Sequence, residues 1–158
     1  MDNPTGERYA LSVAEMEELL ELERLCYPPG EEFSEEFIRE LLSAAYPDGR
    51  RAAHLGRRRS EGRLVGFQIG NLRTGELITL DVHPDFRRRG IGSSLLTETL
   101  ELIWQAGRGI VRCTIATDNQ PSLQLHEAFG FTIRGQIPHY YSSGRDAYLL
   151  VLARPEVL

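Results

Sequence analysis

The sequence predicts an α/β chain of mixed α+β character, in which about seven strands form a central mixed sheet flanked by about four helices. Three observations carry this. Apolar residues recur at helical spacing in some stretches and at strand spacing in others. The two kinds of stretch interleave in the order β-α-α-β-β-β-α-β-α-β-β, with the leading strand ahead of the first helix. A glycine-rich turn follows a strand and opens a helix near the middle of the chain. The 158 residues, read as one domain over 1–158, are enough to bury a hydrophobic core.

Ser12 followed by Glu15 reads as a capping box. Behind it Val13, Met16, Leu19, Leu20, Leu22 and Cys26 predict a helix over 13–26, stopped by Pro28, Pro29 and Gly30. Ser34 caps a second helix with Glu35 and Glu36 in its first turn and Phe37, Ile38, Leu41 and Leu42 as its stripe. Pro47, Asp48 and Gly49 are expected to end it. Residues 51–58 make a weak strand, rich in Arg. Stronger strands are expected at 64–72 and 76–83, joined by a hairpin turn at Arg73, Thr74 and Gly75. A third helix runs from Gly90 to about Gln105, closed by Gly107 or Gly109. A strand at 110–116, a short helix at 121–129 capped near Asp118 or Asn119, and strands at 131–137 and 147–153 complete the chain.

Composition excludes several functions. No window holds eighteen consecutive apolar residues, so no membrane span or membrane partner is expected. The first residues lack a basic region followed by an apolar run, which reads as no signal peptide. Cys26 and Cys113 form neither a disulfide framework nor a zinc site, and they suit cytoplasmic thiols. His54, His83 and His139 have no partner at ligand spacing, so no metal is expected. All eighteen basic residues are Arg, which removes any lysine nucleophile. A net charge of −5 argues against a nucleic-acid partner. Residues 1–48 hold thirteen acids and three Arg. This acidic third is either a solvated face or one that meets a cationic substrate.

The segment Arg87-Arg88-Arg89-Gly90-Ile91-Gly92-Ser93-Ser94 is an anion site in the making. The first N–H groups of a helix have no intrahelical partner and carry the positive end of the dipole. Gly90 and Gly92 let a phosphate approach the backbone, and three Arg supply charge. The pattern is neither a Walker loop nor the dinucleotide fingerprint.

From Leu80-Asp81-Val82-His83-Pro84 through Arg87-Arg88-Arg89-Gly90-Ile91-Gly92, the chain resembles the acetyl-CoA signature of the GNAT superfamily. Asn119-Gln120-Pro121-Ser122 through His126-Glu127-Ala128-Phe129-Gly130-Phe131 resembles that superfamily's second segment, in the same order and at the usual separation. The resemblance covers essentially the whole chain and implies the GNAT fold, with acetyl-CoA as co-substrate between two splayed strands. It implies that the main chain of Leu80, Asp81 and Val82 pairs with the pantetheine. It also implies that Arg88, Arg89, Gly90, Ile91, Gly92 and Ser93, with Arg87 beside them, hold the pyrophosphate, and that Asn119 touches the cofactor. His139-Tyr140-Tyr141 and Asp146-Ala147-Tyr148 resemble the ending of N-terminal protein acetyltransferases, the ribosomal-protein alanine N-acetyltransferases among them. That places Tyr140 and Tyr141 at the acceptor.

The resemblance implies acetyl transfer to a primary amine by direct attack in a ternary complex, with a protein N-terminus, a ribosomal protein among them, as acceptor. Cys113, in an apolar alternation with Val111 and Ile115, is then a core residue. The chain departs from these relatives at two positions. Thr114 stands where they place a Glu base, and His126 where they place a Tyr acid. Glu76, read on one strand face with Ile78, Leu80 and Val82 and opposite Asp81, and His126 are therefore the expected catalytic pair. The alternatives are an acetyltransferase of a small amine and a CoA-binding module without catalysis. Both a monomer and a homodimer fit.

Overall fold

The computed structural model describes residues 11–156. Its elements are α1 (Val13–Cys26), α2 (Glu35–Leu42), β1 (Ala53–Ser60), β2 (Arg63–Asn71), β3 (Glu76–Val82), a 3₁₀ turn (Pro84–Phe86), α3 (Ile91–Gln105), β4 (Ile110–Ala116), α4 (Gln120–Ala128), β5 (Thr132–Ile137) and β6 (Ala147–Ala153). The expected caps are in place. Ser12 Oγ accepts from the Glu15 N–H and Ser34 Oγ from the Phe37 N–H, and Asn119 is the residue that caps α4. The strand expected ahead of α1 lies outside the described residues, which hold six strands.

Two elements differ from the sequence reading, each for a local reason. α2 ends at Leu42, ahead of Pro47. There the Ser43 hydroxyl takes the Glu40 carbonyl, and Ala44 turns out to accept the Ala52 N–H. β1 is a full strand despite its Arg run, at the edge of the sheet among the described residues. Arg57 and Arg59 reach Glu15 and Glu18 of α1, while Arg58 reaches Ser94 and Glu98 of α3. Alternate Arg thus find acids on alternate sheet faces, as a strand's period requires.

The sheet order is β1-β2-β3-β4-β6-β5. All neighbours are antiparallel except β3 and β4, which are parallel and in register at one pair, Glu76 opposite Arg112. One further bond, from the Arg112 N–H to the Gly75 carbonyl (2.9 Å), holds the same corner. Beyond it the two strands splay apart. Gly75 fits this corner because it has φ +80° and because a Cβ there would lie 2.3 Å from the Ile110 carbonyl oxygen.

The register of β2 against β3 shifts between Ile69 and Gly70, a bulge that changes which way β3 side chains face. Leu77 joins the core beneath α3, with Leu96, Leu100 and Ile103. Ile78 then packs on the α1–α2 core. Thr79 contacts Glu23 of α1, while Leu80 and Val82 lie near Gly92 of α3. The bulge corrects the expected alternation. Glu76 and Ile78 do not share a face with Leu80 and Val82, and Asp81 turns with Thr79 toward α1. Two apolar cores result. One joins α1 and α2 to β1 and β2 around Met16, Leu19, Ile38, Leu55 and Phe67; the other joins α3 and α4 to β4 and β6. No described helix is long and apolar enough to cross a membrane.

Candidate active site

The turn into α3 has the geometry of an anion cradle. Gly90 is the N-cap, left-handed at φ +79°, and makes no side-chain cap bond, so the first amides of α3 are not taken by a side chain. Arg88 just before it is also left-handed, at φ +63°. A non-glycine residue held there stores roughly 1–2 kcal/mol. Arg88 and Arg89 are exposed, Arg89 lies over the Phe86 ring, and Arg87 Nε donates to the Val82 carbonyl. Gly92 also serves packing, since a Cβ there would meet Leu125 at 3.1 Å. Asn119 uses its side-chain oxygen to cap α4 through the Ser122 N–H.

On the α1–α2 side of the splay lies a cleft of about 730 Å³. Its lining includes Glu23, Tyr27, Glu76, Thr114, Tyr140 and Tyr141. The two tyrosine rings meet edge to face, with centroids 5.0 Å apart. Burial, and next the charge of the neighbouring Tyr140 hydroxyl, push the Tyr141 hydroxyl up to about 12. Glu76 sits at the corner of the splay, 3.8 Å from Arg112, with half of its side chain in solvent.

One wall of the cleft is a clasp. Arg145 grips Glu31 through two bonds, Nε to Oε2 at 3.0 Å and Nη2 to Oε1 at 2.6 Å, and it also contacts Asp118. The Ser143 hydroxyl donates to Glu31, and the Ser142 hydroxyl donates to the Gly30 carbonyl at 2.6 Å. The connection between α1 and α2 is thereby tied to the one between β5 and β6. The Arg145 bonds hold the Glu31 carboxyl below its ordinary range.

At the wall of the cleft buried Glu23, Thr79 and Asp81 form a polar cluster with half-buried Tyr27. Burial, and then Glu23, raise the Asp81 carboxyl well above its ordinary range; burial also raises Glu23. Burial, followed by Asp81, raises the Tyr27 hydroxyl.

The structure does not bring the two expected catalytic residues together. Glu76 lines the cleft, but His126 does not. His126 is buried in α4 with Nδ1 on the Ser122 carbonyl at 2.8 Å, and its ring packs on Phe131. Burial lowers its pKa, so the ring is neutral near pH 7. Cys113 is a core residue whose thiol is pushed up to about 12 by burial. Sequence reasoning missed Glu23 and Glu31. Glu23 did leave a signal, because it falls on the apolar stripe of α1 at seven residues from Met16, where a charge has no solvent to face.

A mixed sheet split between two parallel strands, with an uncapped, Arg-rich helix start and a deep cleft beside the split, defines an α/β ligand-binding fold. A family model described as acetyltransferase (GNAT) family matches residues 16–131, and the chain belongs to that family. It is similar to the N-alpha-acetyltransferase RimI of Mycobacterium tuberculosis, 39% identical over 100 residues that cover 58% of this chain and 61% of the relative. It is also similar to an N-alpha-acetyltransferase of Sulfurisphaera tokodaii, 26% identical over 155 residues that cover 92% of this chain and 93% of the relative. The chain spans 27% to 62% of the length of the first curated relatives it matches. Its fold is that of Ard1 from Thermoplasma volcanium, with a TM-score of 0.76, 24% identity, and 92% and 95% of the two chains covered.

Proposed function

We propose that this chain is a cytoplasmic, acetyl-CoA-dependent N-acetyltransferase whose acceptor is the α-amine at a protein or peptide N-terminus. The observation that carries it is the clasped cleft itself, which abuts the splay between β3 and β4 and is walled by Tyr140 and Tyr141. Acetyl-CoA supplies an activated thioester. The chain's residues fit it: the splayed edge of Leu80, Asp81 and Val82 offers main-chain groups to its amides. The uncapped start of α3, with Arg87, Arg88, Arg89, Gly90, Ile91, Gly92 and Ser93, offers donors to its pyrophosphate, and Asn119, the N-cap of α4, is a further contact.

Two similar proteins named as N-alpha-acetyltransferases support the acceptor class. Proton energetics support it too. An α-amine with a pKa of about 7.7–8.0 is roughly a quarter or more neutral at pH 7.5, whereas a lysine amine near 10.4 is about 0.1% neutral. A cleft with Thr114 in place of a Glu handles the first more easily. Tyrosine hydroxyls can hydrogen-bond the first peptide units while the rings wall the slot.

The test is a peptide with a free Ala or Ser N-terminus and an internal Lys, mapped by mass spectrometry after turnover, with spermidine as a competing amine. Acetyl on the N-terminus is the expected result. Label on the Lys alone, or faster turnover of spermidine, overturns the acceptor and favours a small amine; no free thiol from any amine favours a binding module. For the cofactor, charge reversal of Arg88 and Arg89 together should weaken acetyl-CoA binding by at least about tenfold. Charge-assisted bonds are worth about 1.5–3 kcal/mol, and the exposed setting puts the loss at the low end. Unchanged affinity by calorimetry removes the turn from the site.

A further inference from the structure

The cluster between α1 and β3 holds a proton that can be located by counting. Thr79 Oγ1 lies 2.9 Å from Glu23 Oε1, 2.6 Å from Asp81 Oδ1 and 3.2 Å from the Tyr27 hydroxyl. A threonine hydroxyl donates once. It bridges to one carboxylate, so the other, at hydrogen-bond distance from the same oxygen, carries a proton of its own. Asp81 is that one. It is fully buried, and its Oδ2 has no hydrogen-bond partner among the described residues. An ionised carboxylate there would be uncompensated. Glu23 is better supplied, since its Oε2 takes the Phe33 N–H at 3.1 Å. The network then closes: Asp81 and Tyr27 donate to Thr79, and Thr79 donates to Glu23. One carboxylate, Glu23, stays ionised, and it lines the cleft with Tyr27.

We propose that Glu23 is the proton acceptor for the incoming amine, with Asp81, held neutral behind Thr79, as the group that positions it. This rests on reading the chain as an N-acetyltransferase, and not on which amine it takes. The Glu23 carboxylate removes one proton from the ammonium group. The freed lone pair forms the new N–C bond to the acetyl carbon as the C–S bond breaks. The second nitrogen proton goes to the departing thiolate. One ammonium, one thioester and one carboxylate thus become one amide, one thiol and one carboxylic acid, and that acid returns its proton to solvent. Other candidates are placed less well: Glu76 is paired with Arg112, and His126 lies outside the cleft lining. The titratable and charged groups that face the pair are Cys26 at the end of α1, Tyr27 and Glu32 from the following connection, and Arg87 from the turn into α3.

The experiment uses the full chain, acetyl-CoA and whichever amine it turns over fastest, so that a failed acceptor assignment shows in the wild type and a failed proton assignment shows in the variants. Glu23→Gln should lower kcat at least about 100-fold and abolish the acidic limb of the kcat–pH profile. Acetyl-CoA affinity should stay within about twofold, since removal of a proton acceptor leaves uniform binding alone. Glu23→Asp should keep the limb at a reduced rate. A limb that persists in Glu23→Gln, or a kcat above about half of wild type, overturns the proposal, because packing alone would leave the titration in place. Where Glu23→Gln does not fold, Thr79→Val serves. Loss of the hydroxyl that stabilises the Glu23 anion should move the limb to higher pH, and an unmoved limb overturns the proposal. The neutral Asp81 has its own readout: an infrared band of a protonated carboxyl at neutral pH that vanishes in Asp81→Asn. Absence of that band in the wild type overturns the positioning role.

Discussion

Gly75→Ala should lower stability by about 3 kcal/mol or more, a large effect for one added methyl at a buried hairpin residue. A left-handed L-residue costs roughly 1–2 kcal/mol before any contact is considered. Here the added Cβ would also stand 2.3 Å from the Ile110 carbonyl oxygen, and backbone is a poor group to push aside. Relief requires the Gly75 corner to move away from Ile110. That motion strains the bond from the Arg112 N–H to the Gly75 carbonyl, and with it the junction of β3 and β4. In urea the midpoint should fall while the slope stays the same. An unchanged midpoint would mean that the corner yields without cost, contrary to the packing described here.

Arg145→Ala should destabilise by roughly 3 kcal/mol, because it strands the Glu31 carboxylate with little exposure and without its guanidinium. Arg145 is itself about a quarter exposed, which keeps the loss at the low end for a broken buried pair. The clasp also shapes the cleft, so KM for a peptide acceptor should rise more than kcat falls. The pH dependence has a definite sign. The folded-state pKa of Glu31 is depressed, first by its Arg145 hydrogen bonds. Its contribution is therefore complete above the ordinary glutamate value of about 4.3 and is lost as pH falls through the lower folded-state value. Thermal melts of wild type and variant should differ widely at neutral pH and converge in strong acid. A gap that holds steady to about pH 3 would assign the stabilisation to packing of the Arg145 stem instead.

Local chemistry made much of the fold legible. Ser12 and Ser34 mark helix starts through a bond three residues away, and α1 and β4 begin and end where periodicity puts them. The glycine-rich turn was readable because its left-handed Gly90 is a local requirement. What stayed hidden depends on distant partners. The Arg run of β1 looks hostile to a strand until Glu15, Glu18 and Glu98 arrive from two helices. Thr79 and Asp81 alternate with apolar residues, as a solvent-facing row would, and are buried because α1 covers them and a bulge re-aims them. The Glu31–Arg145 pair spans 114 residues of sequence, and nothing near either residue announces the other. The placement of His126 is also tertiary, since its ring is fixed by Phe131 and by a carbonyl of its own helix.

The splay between β3 and β4 leaves two inward strand edges with a gap between them, and such edges invite pairing with other chains. A ligand bearing amide groups would fill the place of an absent strand. On the proposed reading, the metabolite pool then acts as a folding chaperone: at a concentration of 100 Kd, a ligand that binds the native state alone adds about 2.7 kcal/mol. Soluble yield would follow the energy state of the cell, and starvation for the thioester would expose the chain to aggregation and proteolysis before it slowed any reaction.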